Sequence, residues 1–238
     1  MAKYRPEWGN IPHIIDETEY SKQLRNKREQ WESWCMQAAG HDERSEPLSL
    51  GSFNIKRVIQ YEDSWHGALI YQQAIENTID NLVASFDLMG EQLTTLDLGS
   101  LSGKWTQLLS KYSKEVICVD VFDYGFGVIR ERHKNIDCKL SFYLTSGDEL
   151  KGIVDGSVDF VFSIDSINKD LPVGTYERYF KEFARVLSPR GFALVHLPPQ
   201  DRKLFNLEKL CKVSCLALMK IDSLELTKGE VFCLKKRA

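Results

Sequence analysis

The chain has 238 residues, 43% of them apolar and 27% charged, which suits one globular domain with a substantial core and excludes a disordered, collagen-like or coiled-coil chain. A net charge of −3 supplies no general field to draw in nucleic acid or an anionic membrane. No apolar run nears the ~20 residues that cross a bilayer, and Met1 to Trp8 lacks the hydrophobic region of a signal peptide, so a cytoplasmic chain without nucleic-acid or membrane partners is expected.

The first 50 residues are poorer in apolar side chains than the rest and should dock on another part of the fold; residues 1–62 are expected to form a helical extension or cap, and 63–238 the main domain. Between Asp16 and Gly40, Tyr20, Leu24, Trp31, Trp34, Cys35 and Ala38 recur at helical steps, with Asp16 and Glu19 resembling a capping box. The basic side chains Lys22, Arg25, Lys27 and Arg28 alternate with Glu19, Glu29 and Glu32, the pattern of a solvated helix face. A polar linker from His41 to Ser52 precedes a second helix, from Asp63 or Ser64 to about Phe86, whose stripe is Ala68, Tyr71, Ile75, Ile79, Leu82 and Phe86.

From Leu93 short apolar runs alternate with helical patterns, the mark of successive β-α units and a parallel sheet. Strands are expected at Thr94–Leu98, Val116–Asp120, Leu140–Tyr143, Val158–Ser163 and Phe192–Leu197, and helices at Lys104–Tyr112, Gly127–His133 and Tyr176–Leu187. Ser188-Pro189-Arg190-Gly191 reads as a tight turn into the fifth strand. A helix near Leu204–Lys212 and strands at Leu216–Asp222 and Val231–Leu234, paired antiparallel through Lys228-Gly229, complete the chain. The six cysteines are scattered without metal-ligand spacing, and Cys118 and Cys233 sit in apolar runs as small buried hydrophobes; no metal site is expected.

Ligands of an open parallel sheet bind beyond the carboxyl ends of its strands. The first strand runs into Asp97-Leu98-Gly99-Ser100-Leu101-Ser102-Gly103, a small-residue loop whose backbone can approach a ligand closely and whose following helix start favours negative groups. The second strand ends in Asp120-Val121, where a carboxylate can accept from both hydroxyls of a ribose. After the third, Gly147-Asp148-Glu149 sets an acid where it could take an exocyclic adenine amine. A nicotinamide site would need G-x-G-x-x-G, which Gly99 to Gly103 does not supply.

The run continues into Asp155-Gly156-Ser157-Val158-Asp159-Phe160-Val161 and Arg185-Val186-Leu187-Ser188-Pro189-Arg190-Gly191, and with these the stretch from Leu93 to Leu197 resembles the class I S-adenosylmethionine-dependent methyltransferases. The resemblance implies a Rossmann-like α/β fold, a mostly parallel seven-stranded sheet flanked by helices, with S-adenosyl-L-methionine as cofactor. It implies that Gly99, Ser100 and Gly103 line the methionine end with Leu101 near it, that Asp120 holds the ribose and Asp148 the adenine amine, and that Asp97, Val121, Gly147, Glu149 and Asp165 also contact the cofactor. The family's loop usually reads G-x-G-x-G, and here Leu101 replaces its middle glycine.

The segment Ser163 to Pro172 is similar to the F-D-S-x-x-H stretch of sugar and natural-product methyltransferases, with Asp165 matching the acid and Asn168 or Lys169 standing where those enzymes often keep a histidine. The likeness implies that Asp165 lies beside the transferable methyl as candidate base. His196, near the end of the fifth strand, is a second catalytic candidate, and Trp65, His66 and Asn168 are candidate acceptor contacts. The expected activity is methyl transfer to a small molecule, at oxygen of a sugar or secondary metabolite; a protein or nucleic-acid acceptor, and a non-catalytic scaffold, are the alternatives.

Overall fold

A computed structural model describes residues 19–38, 69–88, 90, 92–164, 166–167, 171, 174–197, 206–220 and 230–237. Its helices are α1 (Glu19–Ala38), α2 (Leu69–Ser85), α3 (Lys104–Leu109), α4 (Tyr124–Arg132), α5 (Thr175–Val186) and α6 (Leu207–Val213). Its strands are β1 (Leu93–Leu98), β2 (Ser113–Asp120), β3 (Lys139–Leu144), β4 (Val158–Ser163), β5 (Leu187–Leu197), β6 (Leu216–Lys220) and β7 (Glu230–Lys236). They form one seven-stranded sheet in the order β3-β2-β1-β4-β5-β7-β6. Strands β1 to β5 pair in parallel, and β7 runs antiparallel to both β5 and β6. This is the doubly wound α/β architecture expected from the alternating pattern.

Strand alternation sorts the core into two layers. Leu96, Leu98, Val119, Val161, Ala193 and Val195 pack with Leu24 of α1, Phe180 and Phe183 of α5, and Leu210 of α6. Val116, Cys118, Phe160, Phe162, Phe192 and Leu194 pack on the other side with Ile75 and Ile79 of α2, Trp105 and Leu108 of α3, and Phe126 and Ile129 of α4. Ile75 and Ile79 are fully buried, and Phe86 stacks on Phe192 at 4.8 Å, so the described part of the predicted stripe of the second helix faces the sheet, while Ala68 and the Tyr71 side chain lie outside the described residues. Cys118 and Cys233 are fully buried, as their apolar surroundings suggest. Of the stripe predicted for the first helix, only the Leu24 side chain lies within the described residues, and it is buried.

Several boundaries differ from the sequence reading. The third helix ends at Leu109 rather than Tyr112, and β2 begins at Ser113, because Ser113 Oγ donates to the Leu109 carbonyl and meets Thr95 Oγ1 at 2.6 Å, which draws the chain straight into the sheet. The fourth helix starts earlier than expected, at Tyr124. Ser188 to Gly191 is no tight turn: α5 ends at Val186 and β5 already runs from Leu187, which pairs with Val158 across a register shift. There Ser188 Oγ donates to Asp159, whose other carboxylate oxygen accepts the Thr94 amide, so the second acid of the D-G-S-V-D motif ties strands together at the end of the sheet remote from the ligand crevice. The capping pair at Asp16, the linker and the Lys228-Gly229 turn lie outside the described residues. No helix among the described residues is long and apolar enough to cross a membrane.

Candidate active site

The chain leaves β1 toward β2 and β3 on one side and toward β4 and β5 on the other, so the crevice opens at the carboxyl ends of β1 and β4. The loop after β1 is folded by its own backbone. Gly99 and Ser100 both donate to the Val119 carbonyl, at 2.8 and 3.2 Å, and Gly103 donates to the Ser100 carbonyl at 2.7 Å. Gly99 and Gly103 have φ of +76° and +80°, and Leu101 shares the left-handed region at +41°. A Cβ on Gly99 would stand 2.5 Å from Ser166 Oγ, so only glycine lets the two loops approach this closely. At the far end of the loop the ring of His133 donates from Nε2 to the Gly103 carbonyl at 2.7 Å, and Arg132 reaches Ser102. Burial holds the His133 pKa below its ordinary value.

The two acids at the strand tips are deeply buried. Asp97 accepts from Thr106 Oγ1 of α3 at 2.8 Å, and burial, with the nearby Asp120 charge as a smaller contribution, lifts its pKa to about 7. Burial likewise raises Asp120 to about 6, against the pull of backbone N–H groups: Leu101 donates to Oδ2 at 2.9 Å and Val121 to Oδ1 at 2.7 Å. These bonds, with a further backbone contact from Phe122, fix the carboxylate plane at the tip of β2. After β3, Gly147 has φ +107° and Asp148 is buried, its Oδ1 accepting from Ser146 at 2.9 Å and its Oδ2 lying 3.5 Å from Arg178 of α5. Glu149 turns its carboxylate to Lys151 instead, at 2.6 Å.

Residues 96–195 match a family model described as a methyltransferase domain. This stretch is a methyltransferase domain. A curated relative, an uncharacterised methyltransferase-like protein of Schizosaccharomyces pombe, is 29% identical over 127 residues, 53% of this chain and 46% of its own. The chain therefore spans about half the length of that relative. Among solved structures, a chain of the Haloferax volcanii complex containing the Trm112 methyltransferase activator shares the fold with a TM-score of 0.58 at 15% identity, covering 89% of this chain and 97% of its own. An S-adenosylmethionine-dependent methyltransferase of Clostridium acetobutylicum has a TM-score of 0.57 at 13% identity, covering 70% of this chain and 92% of its own.

The residues present fit S-adenosylmethionine as cofactor: Asp120 would accept from its ribose hydroxyls and Asp148 from its adenine amine, both acids being buried at strand tips. Ser100 at the β1 tip and Ser163 at the β4 tip carry buried hydroxyls that have no hydrogen-bond partner, the condition a polar ligand relieves. Ser163 and Ser166 were not singled out by sequence, since a lone serine at a strand tip or just beyond it carries no periodic signal. Ser166 Oγ donates to the Leu98 carbonyl and lies 3.0 Å from the Ile164 carbonyl, while Tyr176 of α5 donates to the Ile167 carbonyl at 3.1 Å. Ser166 and Ile167 are thereby tied to the tip of β1 on one side and to α5 on the other. Asp165, Asn168, Trp65 and His66 themselves lie outside the described residues. His196 is buried on β5, opposite Val231 of β7, and alternation places it on the α2 side of the sheet with Phe192 and Leu194.

Proposed function

We propose that the chain transfers the methyl of S-adenosylmethionine to an oxygen of a small-molecule acceptor, a sugar or a secondary metabolite. The supporting observation is the seat of α1: Leu24 packs at the Gly147 turn and Arg28 Nη2 donates to the Val121 carbonyl at 3.2 Å, so a helix of the chain itself roofs the tips of β2 and β3. A roofed crevice suits an acceptor that enters it better than a macromolecular surface laid across it. The net charge of −3 also weighs against nucleic acid, and a cytoplasmic setting belongs to the same reading.

The cofactor supplies an electrophilic sulfonium methyl for in-line displacement. Within that reading Asp97, Asp120 and Asp148 orient it, the glycine loop and Ser100 hold its tail, and the buried strand tips keep water away from it. Asp165 takes the proton of the acceptor hydroxyl as the oxygen–carbon bond forms and the carbon–sulfur bond breaks. His196, Trp65, His66 and Asn168 orient the acceptor. The test is transfer of labelled methyl into a cell extract, fractionated afterwards by size. Label in the small-molecule fraction, lost with Asp165→Ala, is expected; label in protein or in ribonuclease-sensitive material would contradict the proposal.

A further inference from the structure

The basic residues of α1 do not all behave as a solvated face. Lys22 and Arg25 are exposed, and Lys27 bonds Gln30 within the helix at 3.0 Å. Arg28 departs from them. Its Nη2 donates to the carbonyl of Val121, the residue that follows the ribose acid Asp120, and its Nε is buried without a hydrogen-bond partner. One turn earlier, Leu24 sits where a Cβ on Gly147 would come within 3.2 Å of its Cδ1 and 3.3 Å of Val121 Cγ1. Leu24 and Arg28, spaced i and i+4 on one face, therefore span the two loops assigned to adenine and ribose.

We propose that Arg28 is a cofactor-binding residue: its guanidinium, anchored to the Val121 carbonyl, donates from Nε to an acceptor on the adenosine, a ring nitrogen or a ribose oxygen, and α1 is the nucleoside cap. This rests on the methyltransferase reading of the same site. A buried donor left unpaired is costly, and an acceptor brought by the ligand removes that cost only in the complex. The planar fork makes arginine suited to serving a carbonyl and a ligand at once, which an ammonium cannot do from one position. The methionine tail lies at the β1 loop, so the contact should be blind to it.

Calorimetric titration of the full chain, its Arg28→Met variant and its Arg28→Lys variant, with S-adenosylhomocysteine and separately with adenosine, tests the assignment. Titrations are run well below the melting midpoint of each unliganded protein. The Met variant should bind both ligands about tenfold more weakly, by the same factor, and the Lys variant should recover only part of the loss. Unchanged affinity in the Met variant would overturn the proposal, whatever its melting point, as would a loss seen with S-adenosylhomocysteine but not with adenosine. Failure of the unmodified chain to bind S-adenosylhomocysteine would instead overturn the methyltransferase reading, and this proposal with it.

Discussion

Leu101 occupies the position where the family's loop keeps its middle glycine, and its φ of +41° gives the physical reason for that glycine. In the left-handed region the Cβ of an L-residue crowds the following carbonyl at about 1–2 kcal/mol. Replacement by glycine removes this strain, while the greater freedom of glycine in the unfolded chain costs about 0.5–1 kcal/mol. The side chain is half-buried, so its loss also costs something. Leu101→Ala loses the same packing but keeps the strain, which makes the pair of variants the informative comparison. At an ordinary position alanine is the more stable; here Leu101→Gly should exceed Leu101→Ala by about 0.5–1 kcal/mol, roughly 2–4 °C in melting temperature per kcal/mol for a chain this size. Both variants keep the backbone N–H that bonds Asp120, so their affinity for S-adenosylhomocysteine should be alike. Thermal unfolding decides. An alanine variant melting at or above the glycine variant would refute the strain argument.

Asp120→Ala should weaken S-adenosylhomocysteine by about 1–3 kcal/mol, read by calorimetry, because a buried charged acceptor loses its hydroxyl partners; unchanged affinity would mean that the ribose lies elsewhere. Gly103→Ala forces a side chain into φ +80° and places Cβ 2.9 Å from both His133 Nε2 and Ile129 Cγ1, so urea unfolding should show a loss of about 2–4 kcal/mol. Asp97 and Asp120 hold their protons to about 7 and about 6 when folded, against an ordinary 3.8. Folded protein thus binds more protons than unfolded between these values, and their contribution to stability is greatest on the acid side and falls as pH rises from about 4 to about 7. Asp97→Asn should flatten that fall in urea melts taken across the interval, and an unaltered profile would show that Asp97 is not its source.

The order of strands and helices was legible because each β-α unit repeats the same change of period, and the acids at the strand tips because the motif spacing brings Asp97, Asp120 and Asp148 to one end of the sheet. The start of β5 was not. Pro189 and Gly191 are turn formers locally, yet pairing of Leu187 with Val158 and the bond from Ser188 to Asp159 hold the stretch extended. Arg28 was misread for a related reason: charge alternation along a helix describes its exposed face and cannot tell which turn reaches the Val121 carbonyl. Arg185 was legible as a motif letter without its job. It donates to both oxygens of Glu182 and to the carbonyls of Leu150 and Ile153, all at 2.8 Å, so it moulds the connection between β3 and β4. Arg185→Lys cannot reproduce that fork and should lower stability by about 2 kcal/mol in denaturant unfolding; an equal midpoint would contradict this role.

The most direct test of the account is a crystal structure of the chain grown with S-adenosylhomocysteine. Density should show both ribose hydroxyls on Asp120, the adenine amine on Asp148 and the sulfur near Ser163 at the tip of β4. Density for the nucleoside at any other place, or a crevice closed by the Leu101 side chain, would contradict the central claim.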